Sequence, residues 1–270
     1  MLTHRRPLLA FGCMTDELAI DAGAVEVFRR DGYLKVEGLV PADEIARHLA
    51  IYDRLLRGEI DAGHRRSDLG GAGPAPGVRG EKITQIMWPS DLVPDLTGSI
   101  YYRRALAVAR RLLGDDLSYD FDKLIDKAPF TGTTTPWHQD LAYWIDLPDR
   151  RAVSSWLALD RATVENGCMW FVPGSHLLPL RRHVPFGKGG GALICDATEA
   201  EAVAVPLRPG SCTFHHGGTV HYSRGNRTGG HRRAMIVNYR AAAMIELERQ
   251  KGFDHGRTVN RRELRNAEAR

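Results

Sequence analysis

The sequence predicts a mainly β protein braced by helices. Helical periodicity is concentrated before residue 114, short β-rich runs follow Asp115, and Gly- and Pro-rich turn signals separate those runs. Several short strands after a helical start imply a β-sandwich or a barrel. At 270 residues, with 43% hydrophobic and 26% charged residues, the chain is expected to form a single domain over 1–270.

Residues 18–30 carry apolar positions at helical spacing and stop near Gly32, and residues 33–40 alternate as a strand does. Pro41-Ala42-Asp43-Glu44 then opens a helix predicted to reach about residue 56, with proline in the first turn and acids at the positive helix end. Residues 62–80 are rich in Gly, Pro and Arg without periodicity, which predicts a loop whose length suits a lid. A helix over 99–113 stops at Gly114. Strands are predicted over 117–127, 137–143, 153–159, 168–172, 202–207, 211–215 and 233–241. Asn166-Gly167 and Pro173-Gly174 supply the backbone conformations of sharp connections. Residues 1–13 precede an alternative start at Met14 and are read as a dispensable extension, and residues 257–270 as a charged tail or terminal helix.

Composition excludes several classes. The net charge of +4 is small and dispersed, and no basic run is interleaved with aromatics, so no nucleic-acid partner is expected. No apolar run approaches the ~20 residues of a membrane span. The cysteines at 13, 168, 195 and 212 have no CxxC spacing and are too few for a disulfide scaffold, so a cytoplasmic location is expected. The oligomeric state is left open.

The chemistry is concentrated in His138-Gln139-Asp140, with His221 eighty-three residues beyond His138 and Arg232 a further eleven on. A histidine and a carboxylate two apart on a strand share one face and can grip one ion. A second histidine from a distant strand completes a two-His-one-carboxylate triad, the arrangement of non-haem Fe(II) oxygenases. The surrounding Trp137-His138-Gln139-Asp140-Leu141-Ala142-Tyr143-Trp144 is aromatic on both sides, a setting that suits a dry pocket.

Downstream come Glu165-Asn166-Gly167-Cys168-Met169, Val172-Pro173-Gly174-Ser175-His176, and His221-Tyr222-Ser223-Arg224-Gly225-Asn226-Arg227-Thr228 leading to Arg232. In this order the chain resembles the phytanoyl-CoA dioxygenase family of Fe(II)- and 2-oxoglutarate-dependent oxygenases, in register from about Phe28 to Tyr239. The resemblance implies a distorted double-stranded β-helix, the jelly-roll of cupin-like proteins. It also implies Fe(II), 2-oxoglutarate as co-substrate, dioxygen, and a small-molecule substrate hydroxylated at an unactivated C–H bond with release of succinate and CO2. Desaturation, cyclisation or epimerisation are alternative outcomes, and a non-catalytic ligand sensor is the alternative outside enzymes. Asp140 occupies the position that related halogenases leave to a small residue, which disfavours halogenation.

His215, His216, His221 and His231 all lie near the distal-ligand position. The family spacing of ten residues between that ligand and the basic anchor selects His221 with Arg232. The resemblance gives Arg232 the far carboxylate of 2-oxoglutarate, a bidentate contact that lysine cannot supply. It adds Ser223, Thr135, Trp156 and Gln139 as co-substrate contacts. Parity along the 117–127 strand puts Phe121 and Lys123 on one face, the resemblance implies that this face meets the pocket, and with Trp144 they are assigned to the substrate.

Overall fold

The structure is a computed structural model that describes residues 20–70, 80–186 and 192–259. The expected extension, the middle of the lid segment (71–79) and most of the terminal tail (260–270) lie outside the described residues.

The helices are α1 (Ala22–Asp31), α2 (Ala42–Leu56), α3 (Pro89–Leu92), α4 (Ile100–Leu113) and α5 (Ala242–Gln250). The strands are β1 (Tyr33–Val36), β2 (Arg66–Asp68), β3 (Ile83–Met87), β4 (Leu117–Lys127), β5 (Thr135–His138), β6 (Ala152–Ala158) and β7 (Met169–Phe171). They continue as β8 (His183–Pro185), β9 (Leu193–Cys195), β10 (Val203–Val205), β11 (Cys212–His216), β12 (His221–Ser223) and β13 (Arg232–Ala241).

The helices form where the local chemistry starts and stops them. The Asp21 carboxylate accepts the Ala24 N–H at 2.8 Å, and Gly32 takes φ 79° so that its N–H reaches the Phe28 carbonyl, which bounds α1 on both sides. Pro41 caps α2 instead of lying inside its first turn. Tyr101, Ala105, Val108 and Leu112 form the buried stripe of α4, spaced as one helical face.

A seven-stranded antiparallel sheet, in the order β1-β11-β6-β13-β4-β3-β2, faces a four-stranded sheet, β10-β7-β12-β5, and β8 pairs with β9. This is the distorted double-stranded β-helix, and it does not close into a barrel. Helices α1, α2 and α4 cover the outer face of the large sheet, where Val153, Leu157, Phe214, Met235 and Val237 meet Phe28, Tyr52, Leu55 and Leu112. A second core fills one end of the space between the sheets with Trp156, Ala158, Met169, Phe171, Ala234 and Ile236. Every residue of β6 is buried, because one face meets helices and the other meets the opposing sheet.

Several elements differ from the sequence reading. The 137–143 strand ends at His138, because the Leu141 N–H turns to the Gly217 carbonyl (3.0 Å) and the Ala142 N–H to the Gln139 carbonyl (3.1 Å), closing a short 3-10 turn. Asp140 therefore sits on a turn and not on a strand face. The expected 62–80 loop contains β2, whose Asp68 carboxylate accepts the N–H groups of Gly70, Lys82 and Ile83 at 2.8, 3.2 and 3.0 Å. Strands β2 and β3 give the region before Asp115 two strands of the large sheet. The three-residue strand β12, the β8–β9 hairpin and helix α5 were also unpredicted. The two connections hold as expected, with Gly167 at φ 94° and Gly174 at φ 73°.

Candidate active site

Asp140, His138 and His221 converge although three different elements carry them. His138 ends β5, His221 opens β12, and the two are direct cross-strand partners. An irregularity at Pro136-Trp137, where Thr135 pairs with Ser223 and His138 with His221, re-aims the end of β5. His138 Nδ1 donates to the Pro136 carbonyl at 2.7 Å and His221 Nδ1 to the Thr219 carbonyl at 2.9 Å. These bonds fix both tautomers and leave both Nε2 atoms free to ligate. Each Nε2 is 3.9 Å from Asp140 Oδ1. The other carboxylate oxygen, Oδ2, is held by the Ser154 hydroxyl at 2.6 Å and His215 Nε2 at 3.2 Å.

Burial by itself would raise the Asp140 carboxyl. The hydrogen bond from His215 and the favourable electrostatics of the neighbouring His221 and Lys123 side chains outweigh it, so the carboxyl is held well below its usual range. Burial pushes His138 down to about 4, and burial with the neighbouring His138 and His215 holds His221 well below its usual value. Two neutral imidazoles and one carboxylate are the protonation states that a divalent cation requires. His216 faces away, accepting from the Gly218 N–H, and His231 pairs with Asp126 at 2.8 Å, so neither lies with the triad.

A cavity of about 220 Å³ opens beside these three side chains. Arg232, Trp156, Ser223 and Thr135 line it. The Arg232 side chain is only 1% exposed, its Nε and Nη1 have no hydrogen-bond partner among the described residues, and its guanidinium lies 5.2 Å over the Trp156 ring. Burial pushes its pKa down to about 10, so it remains a cation at neutral pH. Arg233 faces the other way, paired with Asp160 at 2.8 Å and Asp53 at 2.6 Å. Gln139 is not in this wall. Its side chain spans the Gly218 carbonyl (2.6 Å) and the Arg181 N–H (2.9 Å), bracing the turn after β5.

Phe121, Lys123 and Trp144 line the same cavity. Lys123 makes no hydrogen bond or ion pair among the described residues. Phe121 pairs across the sheet with Asn238, six residues along β13 from Arg232. That spacing puts the two ends of the wall about 20 Å apart along the strand.

Sequence reasoning missed four contributors. Ser154 and His215 hold Asp140, and they are cross-strand partners on β6 and β11. Lys127, fully buried, donates to the Ser223 carbonyl at 3.2 Å and the Arg224 carbonyl at 2.8 Å, tying β12 to β4. Its place in the inward odd-numbered set of β4 was the available signal. His255, beyond α5, lines the cavity without any motif around it.

A metal held by two imidazoles and one carboxylate keeps open coordination positions, which is the working feature of mononuclear non-haem iron oxygenases. A buried, unpaired guanidinium in the same wall fits a carboxylate on a second, organic partner. Comparison with known proteins agrees. The sequence matches the model of the family Phytanoyl-CoA dioxygenase (PhyH) over residues 28–234. A probable phytanoyl-CoA dioxygenase of Caenorhabditis elegans is 30% identical over 228 residues, covering 78% of this chain and 72% of that protein. Phytanoyl-CoA dioxygenase domain-containing protein 1 of Mus musculus is 34% identical over 126 residues, and this match spans 43% of its length.

Among solved structures, EvdO2 from Micromonospora carbonacea var. aurantiaca, complexed with 2-oxoglutarate, has a TM-score of 0.70 at 30% identity, covering 83% of this chain and 92% of that one. The epimerase SnoN, in complex with Fe3+, α-ketoglutarate and nogalamycin RO, has a TM-score of 0.63 at 29% identity, covering 82% and 83%. The chain belongs to the phytanoyl-CoA dioxygenase family of Fe(II)- and 2-oxoglutarate-dependent oxygenases. No described helix is long and apolar enough to cross a membrane.

Proposed function

We propose that the protein is a dioxygenase that hydroxylates an unactivated C–H bond of a small molecule, releasing succinate and CO2 from 2-oxoglutarate. One observation carries this reading: an unpartnered, buried Arg232 guanidinium shares a cavity with a complete His138, Asp140 and His221 donor set. Fe(II), bound with 2-oxoglutarate and dioxygen, supplies the oxidising chemistry.

The residues of this chain do the rest. His138 and His221 present Nε2, and Asp140 presents Oδ1 while Ser154 and His215 restrain Oδ2. Arg232 takes the distal carboxylate of 2-oxoglutarate through two parallel hydrogen bonds, with Ser223 and Thr135 adding hydroxyl contacts and Trp156 bracing the guanidinium face. Phe121 and Trp144 wall the substrate end and exclude water, and Lys123 offers a cation to an anionic substrate group. Gln139 acts on the co-substrate through the turn that it braces, without touching it.

The epimerase activity of SnoN supports a second outcome, in which the same oxidising chemistry inverts a carbon centre. The test is turnover of purified protein with Fe(II), 2-oxoglutarate and isotope-labelled dioxygen. Slow substrate-independent succinate formation is expected, and with substrate one labelled oxygen in the product. A product that gains no oxygen excludes hydroxylation, and absence of both succinate formation and 2-oxoglutarate binding favours a non-catalytic sensor.

A further inference from the structure

At the Phe121 end of the cavity stands a histidine that the oxygenase chemistry does not use. His255 lies in the cavity wall, its side chain buried, with its ring stacked on Phe121 at 3.9 Å and edge-on to Trp144 at 6.1 Å. Its Nε2 is 2.9 Å from Glu248 Oε2 and 3.5 Å from Asp120 Oδ2. Both carboxylates are themselves buried and fixed. Arg240 reaches Glu248 Oε2 at 3.0 Å, and Arg249 reaches it at 2.9 Å and also bonds Asp120.

Three donor atoms of Asp120, Glu248 and His255 lie within 4.8 Å of one another, close enough for a metal ion. Two arginines already balance the two carboxylates, so a cation would find no net negative charge. The arrangement instead orients an imidazole. Carboxylates only accept hydrogen bonds, so the proton of the ring sits on Nε2 and faces them. Nδ1 is then the free atom, and it is buried without a partner. Leaving a buried polar atom unpaired is destabilising, which points to a partner that no described residue provides. The backbone at His255 also takes φ 55°, a left-handed conformation that non-glycine residues hold only when their surroundings demand it.

We propose that His255 is a substrate-recognition residue whose Nδ1 pairs with a hydroxyl group on the apolar portion of the substrate seated against Phe121 and Trp144. A hydroxyl is the matching group because it both donates and accepts, and so satisfies Nδ1 whether or not the ring carries a second proton. This deepens the oxygenase reading by naming a substrate class, and rests on it for the cavity being the substrate site.

The test uses the full chain with zinc in place of iron, titrated with benzyl alcohol and with toluene, each with and without 2-oxoglutarate. Nitrogen-15 NMR of the histidine rings reports His255 directly. Benzyl alcohol should move the Nδ1 resonance of His255, and toluene should not. The affinity ratio of the two probes should fall about five- to tenfold in His255→Phe, which keeps the ring stack but has no hydrogen-bonding atom. His255→Asn should retain it, because its amide places a polar atom where Nδ1 stood and tolerates the left-handed backbone. Thermal unfolding checks the fold of each variant. An Nδ1 resonance unmoved at saturation, an unchanged ratio in His255→Phe, or binding of neither probe overturns the proposal. Failure of 2-oxoglutarate to bind would instead count against the oxygenase reading, and it is scored in the same samples independently of His255.

Discussion

Replacing Arg232 with alanine should abolish tight 2-oxoglutarate binding while leaving the fold intact. The guanidinium is 1% exposed and two of its nitrogens have no hydrogen-bond partner among the described residues, so the free protein buries a cation whose hydrogen-bonding capacity is unfilled. Two charge-assisted hydrogen bonds to one carboxylate, each about 1.5–3 kcal/mol, make the loss about 3–6 kcal/mol. That corresponds to a Kd weaker by about two to four orders of magnitude. Arg232→Lys keeps the charge but not the fork and should fall between. Anaerobic titration calorimetry of the Fe(II) complex measures each value. Thermal unfolding supplies a second view: 2-oxoglutarate at about 100 times the wild-type Kd should stabilise the wild type by about 2.7 kcal/mol, and the alanine variant by no more than about 0.4 kcal/mol at that concentration. Arg233→Ala is the control on the same strand. It breaks the ion pairs to Asp160 and Asp53 and should lower thermal stability without changing 2-oxoglutarate affinity. Affinities affected in the reverse order, or Arg232→Ala within about threefold of wild type where tenfold is 1.4 kcal/mol, would refute the argument.

Asp140→Ala and His221→Ala should each eliminate product, and a chelator should do the same until Fe(II) is restored; turnover by either variant with iron bound would contradict the triad. Ser154→Ala removes one of the two donors on Asp140 Oδ2, so metal affinity or activity should drop about 10–100-fold, read by metal titration and initial rates. Gly225→Ala would put a Cβ 2.0 Å from the Gly132 carbonyl carbon, an overpacking that should cost about 3 kcal/mol or more, and an unaltered melting temperature would rule it out. The His231 imidazole is raised above its ordinary pKa, first by its hydrogen bond to Asp126. Its stabilising contribution is therefore full below the unfolded value and lost as pH rises through the folded one. The stability gap between wild type and His231→Gln should be wider at about pH 5.5 than at about pH 8.5, measured by urea denaturation, and a gap that widens with pH instead would reverse the sign.

Much of the architecture was written locally. Helix α1 carries its own Asp21 cap, α2 and α4 carry apolar stripes with Pro41 and Gly114 as punctuation, and β4 is a long β-rich run, so period and punctuation sufficed. Strands β2, β8 and β12 are three residues long, too short to show a period, and β12 takes its identity from β5 and β7, far back along the chain. The 137–143 stretch looked like a strand because it is aromatic and apolar, yet a carbonyl from Gly217 bends it at Asp140. His138, Asp140, His221 and Arg232 were legible because their residue types and spacing constrain one another. Ser154, His215 and Lys127 were not, since a serine, a histidine and a lysine in buried strands become partners of the site only through sheet register. Gln139 misled for the opposite reason, as its neighbours in sequence belong to the His138, Asp140 and His221 donor set while its own side chain bonds backbone groups of Gly218 and Arg181.

Strand β12 has only three residues, yet it holds His221 at one end and Ser223 at the other, hydrogen-bonded to β5 with His138 opposite the first and Thr135 opposite the second. On the proposed assignment, the metal ligands and the co-substrate contacts stand on neighbouring rungs of one short ladder. Whichever binds first restrains the rung that the other needs and relieves it of part of the ordering entropy. Linkage makes this reciprocal: iron should tighten 2-oxoglutarate by the same factor that 2-oxoglutarate tightens iron. The protein would then hold neither firmly alone, and would assemble its reactive centre as a cooperative unit.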